Sequence, residues 1–187
     1  MTRTPRHPYL LDPDKTVLLI VDVQERFRAA IPSFDEMLAG CLRLTRTFQA
    51  LGLPIVVTEQ YPKGLGHTVE ELRTILDETP IPEKTTFSAL GCHDVRDRLT
   101  LEADAVVVCG IEAHVCVQQS VHDLLAAKRL VHVARDAVAS RDPANAQAAL
   151  VRLGMAGAVL TTTEMAAFEL LGDAKDPKFK DVQAIFK

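Results

Sequence analysis

Residues 105–128 read AVVVCGIEAHVCVQQSVHDLLAAK and change from a strand pattern to a helix pattern around one glycine. The run Ala105–Cys109 is apolar without alternation, which is typical of a strand that is buried on both faces of a sheet. In the segment Val115–Lys128, apolar residues recur at helical spacing and form one face that can pack on that sheet. These residues are Val117, Val121, Leu124 and Leu125. A buried strand followed directly by an amphipathic helix is the building unit of a parallel α/β fold.

The same order of apolar run and helical segment recurs along the chain. Further predicted strands are Val17–Val21, Ile55–Thr58, Leu130–Val133 and Ala158–Leu160. Further predicted helices are Phe34–Ala50, Val69–Asp77, Asn145–Arg152 and a segment near Glu164–Leu171. Thr68 with Glu71 three residues later predicts a capping box at the start of the second of these helices. We therefore predict a three-layer, doubly wound α/β fold, in which a mostly parallel central sheet of about six strands is flanked by helices and connected by right-handed crossovers.

The length and composition of the chain fit one folded domain over residues 1–187, since 48% of the residues are apolar and 25% are charged. Residues 1–15 are predicted to form an N-terminal arm, and residues 173–187 a C-terminal helix. The longest apolar run, residues 17–21, is far too short to span a membrane, and the N-terminus lacks the pattern of a signal peptide. We therefore expect a cytoplasmic protein without a membrane partner.

Charge and cysteine content restrict the kind of partner further. A net charge of −4 gives no sign of the basic surface that binds nucleic acid, so a small molecule is the expected partner. The four cysteines, at positions 41, 92, 109 and 116, form no C-x-x-C pair, which argues against a zinc ribbon or a thioredoxin-like site. In the cytoplasm they are expected to be reduced thiols, so a functional cysteine would act alone.

Three reactive side chains follow predicted strands or lie in a nearby loop. Asp22 ends the run TVLLIVD, Cys116 follows the turn after Ala105–Cys109, and Lys84 lies in the segment PIPEKTTF. Because ligands bind beyond the carboxyl ends of the strands in such folds, we expect the three to converge there. Each also has a purely structural interpretation: a turn cap for the carboxylate, a solvated side chain for the lysine, and a small buried hydrophobe for the cysteine.

The position of Cys116 favours a chemical role over a structural one. It lies on the first turn of a predicted helix, where free N–H groups and the helix dipole would stabilise a thiolate or a developing oxyanion. With Asp22 as proton acceptor and Lys84 as a cation that lowers the pKa of the thiol, the parts of an acyl-transfer enzyme are present. Cys109 and Cys41, by contrast, lie in apolar segments and are predicted to be core residues.

The sequence resembles the isochorismatase-like cysteine hydrolase superfamily, which includes nicotinamidases, N-carbamoyl amide hydrolases and isochorismatases. The resemblance extends from about residue 16 to the end. It rests on the motifs LLIVDVQERF, EKTTFSAL and VVVCGIEAHVCVQQSVHDLL. The segments TEQYPKGLGHT, DAVASR and ELLGDAKDPKF are most similar to the isochorismatase domain-containing branch.

This resemblance implies a role for each residue of the proposed site. Asp22 would be the general base, Lys84 its ammonium partner and Cys116 the nucleophile. A non-proline cis peptide bond between Ile111 and Glu112 would direct the N–H of Glu112, together with that of Cys116, into an oxyanion hole. The implied reaction is attack of the thiolate on a carbonyl of a C–N bond, loss of the amine, and hydrolysis of the thioester.

Two other functions remain open at this stage. The chain could be a binding or scaffolding module that keeps the fold without turnover. It could also hydrolyse a vinyl ether as isochorismatases do, a reaction that would need Asp22 but not the thiol. Nicotinamidases bind a metal after the second strand, where only Glu59 and His67 are candidate ligands in this chain. Two ligands do not make a convincing site, so we predict no metal and no cofactor.

The substrate pocket and the assembly are predicted less directly. Residues that follow strand ends and could line the pocket are Gln24, Phe27, Gln60, Tyr61 and His114. For His114, contact with substrate and exposure to solvent are equally open, whereas Asp136 is interpreted as a turn residue. Because oligomers are common in the superfamily, a homo-oligomer is expected.

Overall fold

The computed structural model describes residues 6–101 and 103–187, so residues 1–5 of the predicted N-terminal arm lie outside the described part. The described part contains a six-stranded sheet in the order β3-β2-β1-β4-β5-β6, and every strand pair in it is parallel. The strands are β1 (Thr16–Val21), β2 (Ile55–Gln60), β3 (Glu83–Lys84), β4 (Ala105–Ile111), β5 (Leu130–Ala139) and β6 (Val159–Thr161). The predicted α/β fold with a parallel central sheet is confirmed.

Eight α-helices lie among the described residues. They are α1 (Phe34–Leu51), α2 (Pro62–Leu65), α3 (Glu70–Leu76), α4 (His93–Thr100), α5 (Gln118–Ala126), α6 (Pro143–Met155), α7 (Thr163–Leu171) and α8 (Phe179–Ile185). Among residues 6–101 and 103–187, no helix is both long and apolar enough to cross a membrane.

The apolar side chains of the strands divide between two buried clusters, one on each face of the sheet. In β1, Leu18 and Ile20 pack with α1, α3 and α7, whereas Val17, Leu19 and Val21 pack with α4, α5 and α6. Successive residues of a strand point to opposite faces, so a strand covered by helices on both sides must be apolar throughout. This is why the strand runs show no alternation, and it accounts for the three layers.

Several local predictions were wrong. The capping box does not form: Val69 precedes the first turn of α3 and no side chain caps it. The backbone N–H of Thr68 instead donates to Glu59 Oε1 at 2.6 Å, which holds Thr68 against the end of β2. Asp136 is not a turn residue, because β5 continues through it to Ala139. Its carboxylate accepts hydrogen bonds from the N–H and the hydroxyl of Thr163, at 2.8 and 2.7 Å, at the start of α7.

Candidate active site

The predicted acid and the predicted ammonium group form a buried ion pair. Lys84 Nζ lies 2.6 Å from Asp22 Oδ2, although the residues are 62 positions apart in the chain. The two side chains are 1% and 2% exposed, respectively. Asp22 follows the carboxyl end of β1 and Lys84 ends the edge strand β3. The structural interpretations, a turn cap for Asp22 and a solvated side chain for Lys84, are therefore wrong.

Asp22 is held in one orientation by the neighbouring strand. Its backbone is in the left-handed region, with φ of 51°, and its N–H donates to the carbonyl of Thr58 at 3.1 Å. The hydroxyl of Thr58 donates to Asp22 Oδ1 at 2.7 Å. One carboxylate oxygen therefore faces Thr58 and the other faces Lys84, which fixes the plane of the carboxylate.

The short strand β3 determines where the ammonium group of Lys84 lies. Lys84 is the register partner of Gln60, so both side chains lie on the same face of the sheet. Lys84 Nζ donates to Gln60 Oε1 at 2.7 Å, and its third hydrogen is shared between the carbonyls of Phe87 and Thr86 at 3.1 and 3.2 Å. The buried charge is thus surrounded by oxygen atoms, the condition under which a buried lysine stays favourable.

A close approach of two backbones brings the cysteine segment to the end of β1. Gly110 has φ of 112°, and a Cβ atom built on it would lie 2.1 Å from the carbonyl oxygen of Val21. Only glycine can occupy this position, because any side chain would collide with β1. Cys116 follows in a π-helical turn, Ala113–Val117, that leads into α5. The cysteine therefore lies just before the regular part of the helix, which begins at Gln118.

The pKa of the Cys116 thiol is raised, whereas the sequence predicts that it is lowered. Burial raises it to about 12, and the charge of Asp22 acts in the same direction, while Lys84 lowers it. The expected thiolate at a helix N-terminus is therefore wrong for the resting protein, since the residue is 7% exposed and has an anion beside it. The thiol keeps its proton until a base removes it. Asp22 and Lys84 both lie close enough to change its pKa through charge and hydrogen bonding.

The bend between β4 and the π-helical turn is formed by Ile111 and Glu112, and the peptide bond between them is cis. Among the described residues, no acceptor for the N–H of Glu112 is found. The Glu112 carboxylate is buried and accepts hydrogen bonds from the backbone N–H and from Nε of Arg141, both at 3.0 Å. Arg141 therefore ties the bend to the end of β5.

The predicted pocket residues have different surroundings. A cavity of about 350 Å³ lies beside Lys84, and Tyr61, which is 53% exposed, forms part of its wall together with Cys92. Phe27 packs, partly buried, against the core on the α1 side of the sheet. His114 is half-buried, with Nδ1 2.9 Å from the hydroxyl of Ser140.

Gln24 does not line a pocket. It is fully buried, and its amide binds backbone atoms: Nε2 donates to the carbonyls of Gln60 and Gly66, and Oε1 accepts from the N–H of Gln60 at 2.8 Å. Every polar atom of the side chain is thus used to fix the segment after β2. Gln24 is predicted to line the pocket, but these contacts give its side chain the role of holding the backbone.

The candidate ligands Glu59, near the end of β2, and His67 do not fit the metal that nicotinamidases bind. Glu59 Oε2 and His67 Nδ1 lie 3.0 Å apart, and Glu59 Oε1 accepts from the N–H of Thr68, so each carboxylate oxygen already has a partner within the protein. Within the described ranges, no group of three or more potential metal-ligating side chains is present. Burial alone would raise the pKa of Glu59, but the Thr68 N–H and His67 together lower it, which favours a carboxylate engaged within the protein.

Sequence reasoning missed several residues that position the site. Thr58 ends a predicted strand, and Gln60 was considered only as a pocket residue. Arg141 lies in DAVASR, a motif used only for resemblance. Their contacts join segments far apart in the chain, and no periodic pattern records such contacts.

Comparison with known proteins shows which family this chain belongs to. The isochorismatase domain model matches residues 16–165. Isochorismatase domain-containing protein 2 from Xenopus laevis is 42% identical over 172 residues, which cover 91% of this chain and 82% of that protein. Isochorismatase domain-containing protein 1 from Salmo salar is 40% identical over 178 residues, which cover 95% of this chain but 62% of the longer relative.

Solved structures with a similar fold are also found. The structure of MAR1 ribonuclease from Caenorhabditis elegans superposes with a TM-score of 0.91 at 42% identity, covering 94% of this chain and 91% of that one. YcaC from Pseudomonas aeruginosa, solved with hexane-2,5-diol and covalent acrylamide, has a TM-score of 0.88 at 23% identity over 97% and 93% of the two chains, a likeness of fold alone. Because the domain model covers most of the chain and relatives well above 30% identity cover nearly all of it, the chain belongs to the isochorismatase domain family.

Proposed function

We propose that the protein is a cysteine hydrolase that cleaves the C–N bond of a small amide-like substrate through a thioester on Cys116. The observation that carries this proposal is the buried ion pair of Asp22 and Lys84, whose charges both act on the Cys116 thiol. A protonated thiol is a poor nucleophile, and a carboxylate next to it supplies the base that activates it. A cysteine that only filled space would need neither charge.

In the proposed reaction Asp22 carries two protons in turn, first the thiol proton to the leaving nitrogen and then a proton of water to the sulfur. The carboxylate takes the thiol proton as the sulfur attacks the carbonyl carbon, and the carbonyl oxygen becomes an oxyanion between the N–H groups of Glu112 and Cys116. Asp22 then gives the proton to the leaving nitrogen, the C–N bond breaks and a thioester remains. Water, deprotonated by Asp22, attacks the thioester and releases a carboxylic acid and the free thiol.

Lys84 has an electrostatic role in this scheme. Its charge opposes the effect of Asp22 on the thiol, so it lowers the free energy needed to form the thiolate. Because it also donates to Gln60 and to two backbone carbonyls, it keeps its place when the Asp22 carboxylate is neutralised during proton transfer. We therefore assign no proton transfer to Lys84.

The name of one relative suggests a different substrate. The C. elegans protein of 42% identity is called a ribonuclease. This chain carries a net charge of −4, and Lys84, the cation at the centre of its site, is already paired with Asp22. Since RNA binding depends on unpaired cations along the phosphate backbone, we favour a small uncharged amide over RNA. A homo-oligomer and a cytoplasmic location stay predictions.

The experiment that tests the proposal is incubation with a library of small amides, followed by intact-protein mass spectrometry and an ammonia assay. We expect an acyl adduct on Cys116 with at least one amide, and loss of both adduct and ammonia release in Cys116→Ala. The matched control is Cys92→Ala, which removes a half-exposed thiol beside the same cavity and should keep turnover. Cleavage of an RNA probe that is lost in Cys116→Ala, without any amide turnover, would overturn the proposed substrate class.

A further inference from the structure

We propose that Ser120 is a positioning residue that holds the Lys84 segment against the cysteine turn and thereby sets how readily Cys116 is activated. This inference rests on the proposed function, because it concerns the same thiol. Ser120 lies in α5, one helical turn after Cys116, and is fully buried. Sequence reasoning had given it no role.

The hydroxyl of Ser120 joins two elements that carry different parts of the site. It donates to the carbonyl of Cys116 at 2.7 Å and accepts from the backbone N–H of Ala89 at 2.8 Å. A serine inside a helix commonly makes the first kind of bond, to the carbonyl four residues earlier. The second bond is unusual, because Ala89 belongs to the segment that follows Lys84.

The segment that leads to Ala89 surrounds the ammonium group. Its carbonyls at Thr86 and Phe87 accept from Lys84 Nζ, and Ala89 begins the short helical turn that ends the segment. The bond from the Ala89 N–H to the Ser120 hydroxyl joins the backbone of this segment directly to α5. One hydroxyl thus bonds both the ammonium segment and the cysteine turn.

This spacing matters because Lys84 is the group that lowers the pKa of Cys116 against burial and the charge of Asp22. If the segment relaxes away from α5, Lys84 stays paired with Asp22 but its effect on the thiol weakens, since the attraction between charges falls with distance. The thiolate fraction at a given pH then falls. Loss of the Ser120 hydroxyl should therefore lower the reactivity of Cys116 without touching the sulfur.

The test measures the rate at which iodoacetamide alkylates Cys116. Peptide mass spectrometry gives the alkylated fraction at several pH values between 7.5 and 9.5. We expect Ser120→Ala to react roughly three- to tenfold more slowly than the parent protein at each pH, since one unit of thiol pKa is about tenfold in thiolate. Ser120→Thr, which keeps the hydroxyl, should restore most of the rate. An unchanged rate in Ser120→Ala would overturn the proposal.

A matched control separates positioning from loss of stability. Thr45 in α1 makes the same kind of bond, from a fully buried hydroxyl to the carbonyl of Cys41 four residues earlier, at 2.8 Å. Thr45→Val removes that bond far from Lys84 and should reduce stability without changing alkylation of Cys116. Equal slowing in Thr45→Val and Ser120→Ala would show a general loosening and would contradict a positioning role.

The donor side of the bond offers a second, independent variant. Ala89→Pro removes the N–H that Ser120 accepts, and the extended ψ of 135° at Ser88 is what a residue before proline needs. If both changes break the same bond, the double variant should react no more slowly than either single variant. A double variant slowed by the product of the two single factors would overturn the proposal. Alkylation needs no turnover, so failure to find an amide substrate would count against the proposed function and leave this result standing.

Discussion

Lys84 Nζ and Asp22 Oδ2 are 2.6 Å apart and almost completely shielded from solvent. A buried charge has lost its hydration, and only the attraction of its partner compensates for that loss of free energy. The pair is therefore part of the proposed chemistry, and loss of either partner leaves the other charge buried and uncompensated. The chemical role and the effect on stability can be separated by experiment.

Lys84→Met and Asp22→Asn should each destabilise the protein by about 3–5 kcal/mol, since each leaves the other charge buried and alone. The double variant should lose clearly less than the sum, because no unpaired charge remains. Urea unfolding measures these differences, and all three variants should lack amide turnover. The exposed pair Lys15 and Asp104, 2.8 Å apart, is the control: its removal should change stability little. Additive losses at Asp22 and Lys84 would contradict a coupled buried pair.

The Cys116 thiol should make the free energy of unfolding decrease at alkaline pH. Its pKa is raised by burial from about 9 to about 12, so the folded state holds the proton more tightly than the unfolded chain. The resulting stability is fully present below pH 9 and is lost as the pH rises from 9 toward 12. Cys116→Ser removes this titration, so the difference in unfolding free energy between the parent and this variant should shrink above pH 9. A constant difference up to pH 11 would contradict the raised pKa.

The two charges beside Cys116 should change its reactivity in opposite directions. Asp22 raises the pKa of the thiol and Lys84 lowers it, so Asp22→Asn should alkylate faster than the parent protein at pH 8.5 and Lys84→Met more slowly. The expected ratio between the two variants is about tenfold or more, which corresponds to one unit of pKa. Turnover should nevertheless be absent in Asp22→Asn, because the base is missing. The reverse order of alkylation rates would show that the charges do not act on the sulfur as proposed.

The residues of the proposed site are easier to select from the sequence than the residues that support them. Asp22 and Cys116 follow long apolar runs, and such runs identify buried parallel strands. The strand that carries Lys84 could not be found in this way, because β3 has two residues and lies among prolines. Its pairing comes from the register with β2, which is a contact between distant segments. Ser120 was missed for the same reason, since its second partner lies 31 residues away.

The resting state of the thiol is a different kind of failure. The position of Cys116 at the start of a helix predicts a lowered pKa, but helix position is only one influence on the pKa of a thiol. Burial and the charge of Asp22 raise the pKa of the thiol, and neither can be read from local sequence. The same limitation applied to Gln24, whose position after a strand suggested a pocket while its actual contacts are with backbone.

Arg141→Met should disturb the bend that carries the proposed oxyanion site. The Glu112 carboxylate is 6% exposed and would keep only the backbone N–H of Arg141 as partner. We expect a loss of about 1–3 kcal/mol, typical of a buried acceptor left incompletely bonded, and a lower turnover number at nearly constant KM. Adding Glu112→Gln should restore stability by removing the buried charge. If Arg141→Met raised KM alone, Arg141 would contact substrate instead.

The close approach of β4 to β1 gives the sharpest structural test, because the chain offers a matched glycine. Gly110 and Gly157 both have positive φ, 112° and 104°, but a Cβ on Gly157 would meet nothing within 4 Å, whereas one on Gly110 would lie 2.1 Å from the Val21 carbonyl oxygen. Gly157→Ala should therefore cost about 1–2 kcal/mol from backbone conformation alone. Gly110→Ala carries the same penalty and must also push β4 away from β1, so it should cost at least about 2 kcal/mol more or prevent folding.

Urea unfolding compares the stabilities of the two variants. Cys116 alkylation should change in Gly110→Ala alone, because the cysteine turn follows that strand. Equal losses in both variants would show that the contact with Val21 does not position the site.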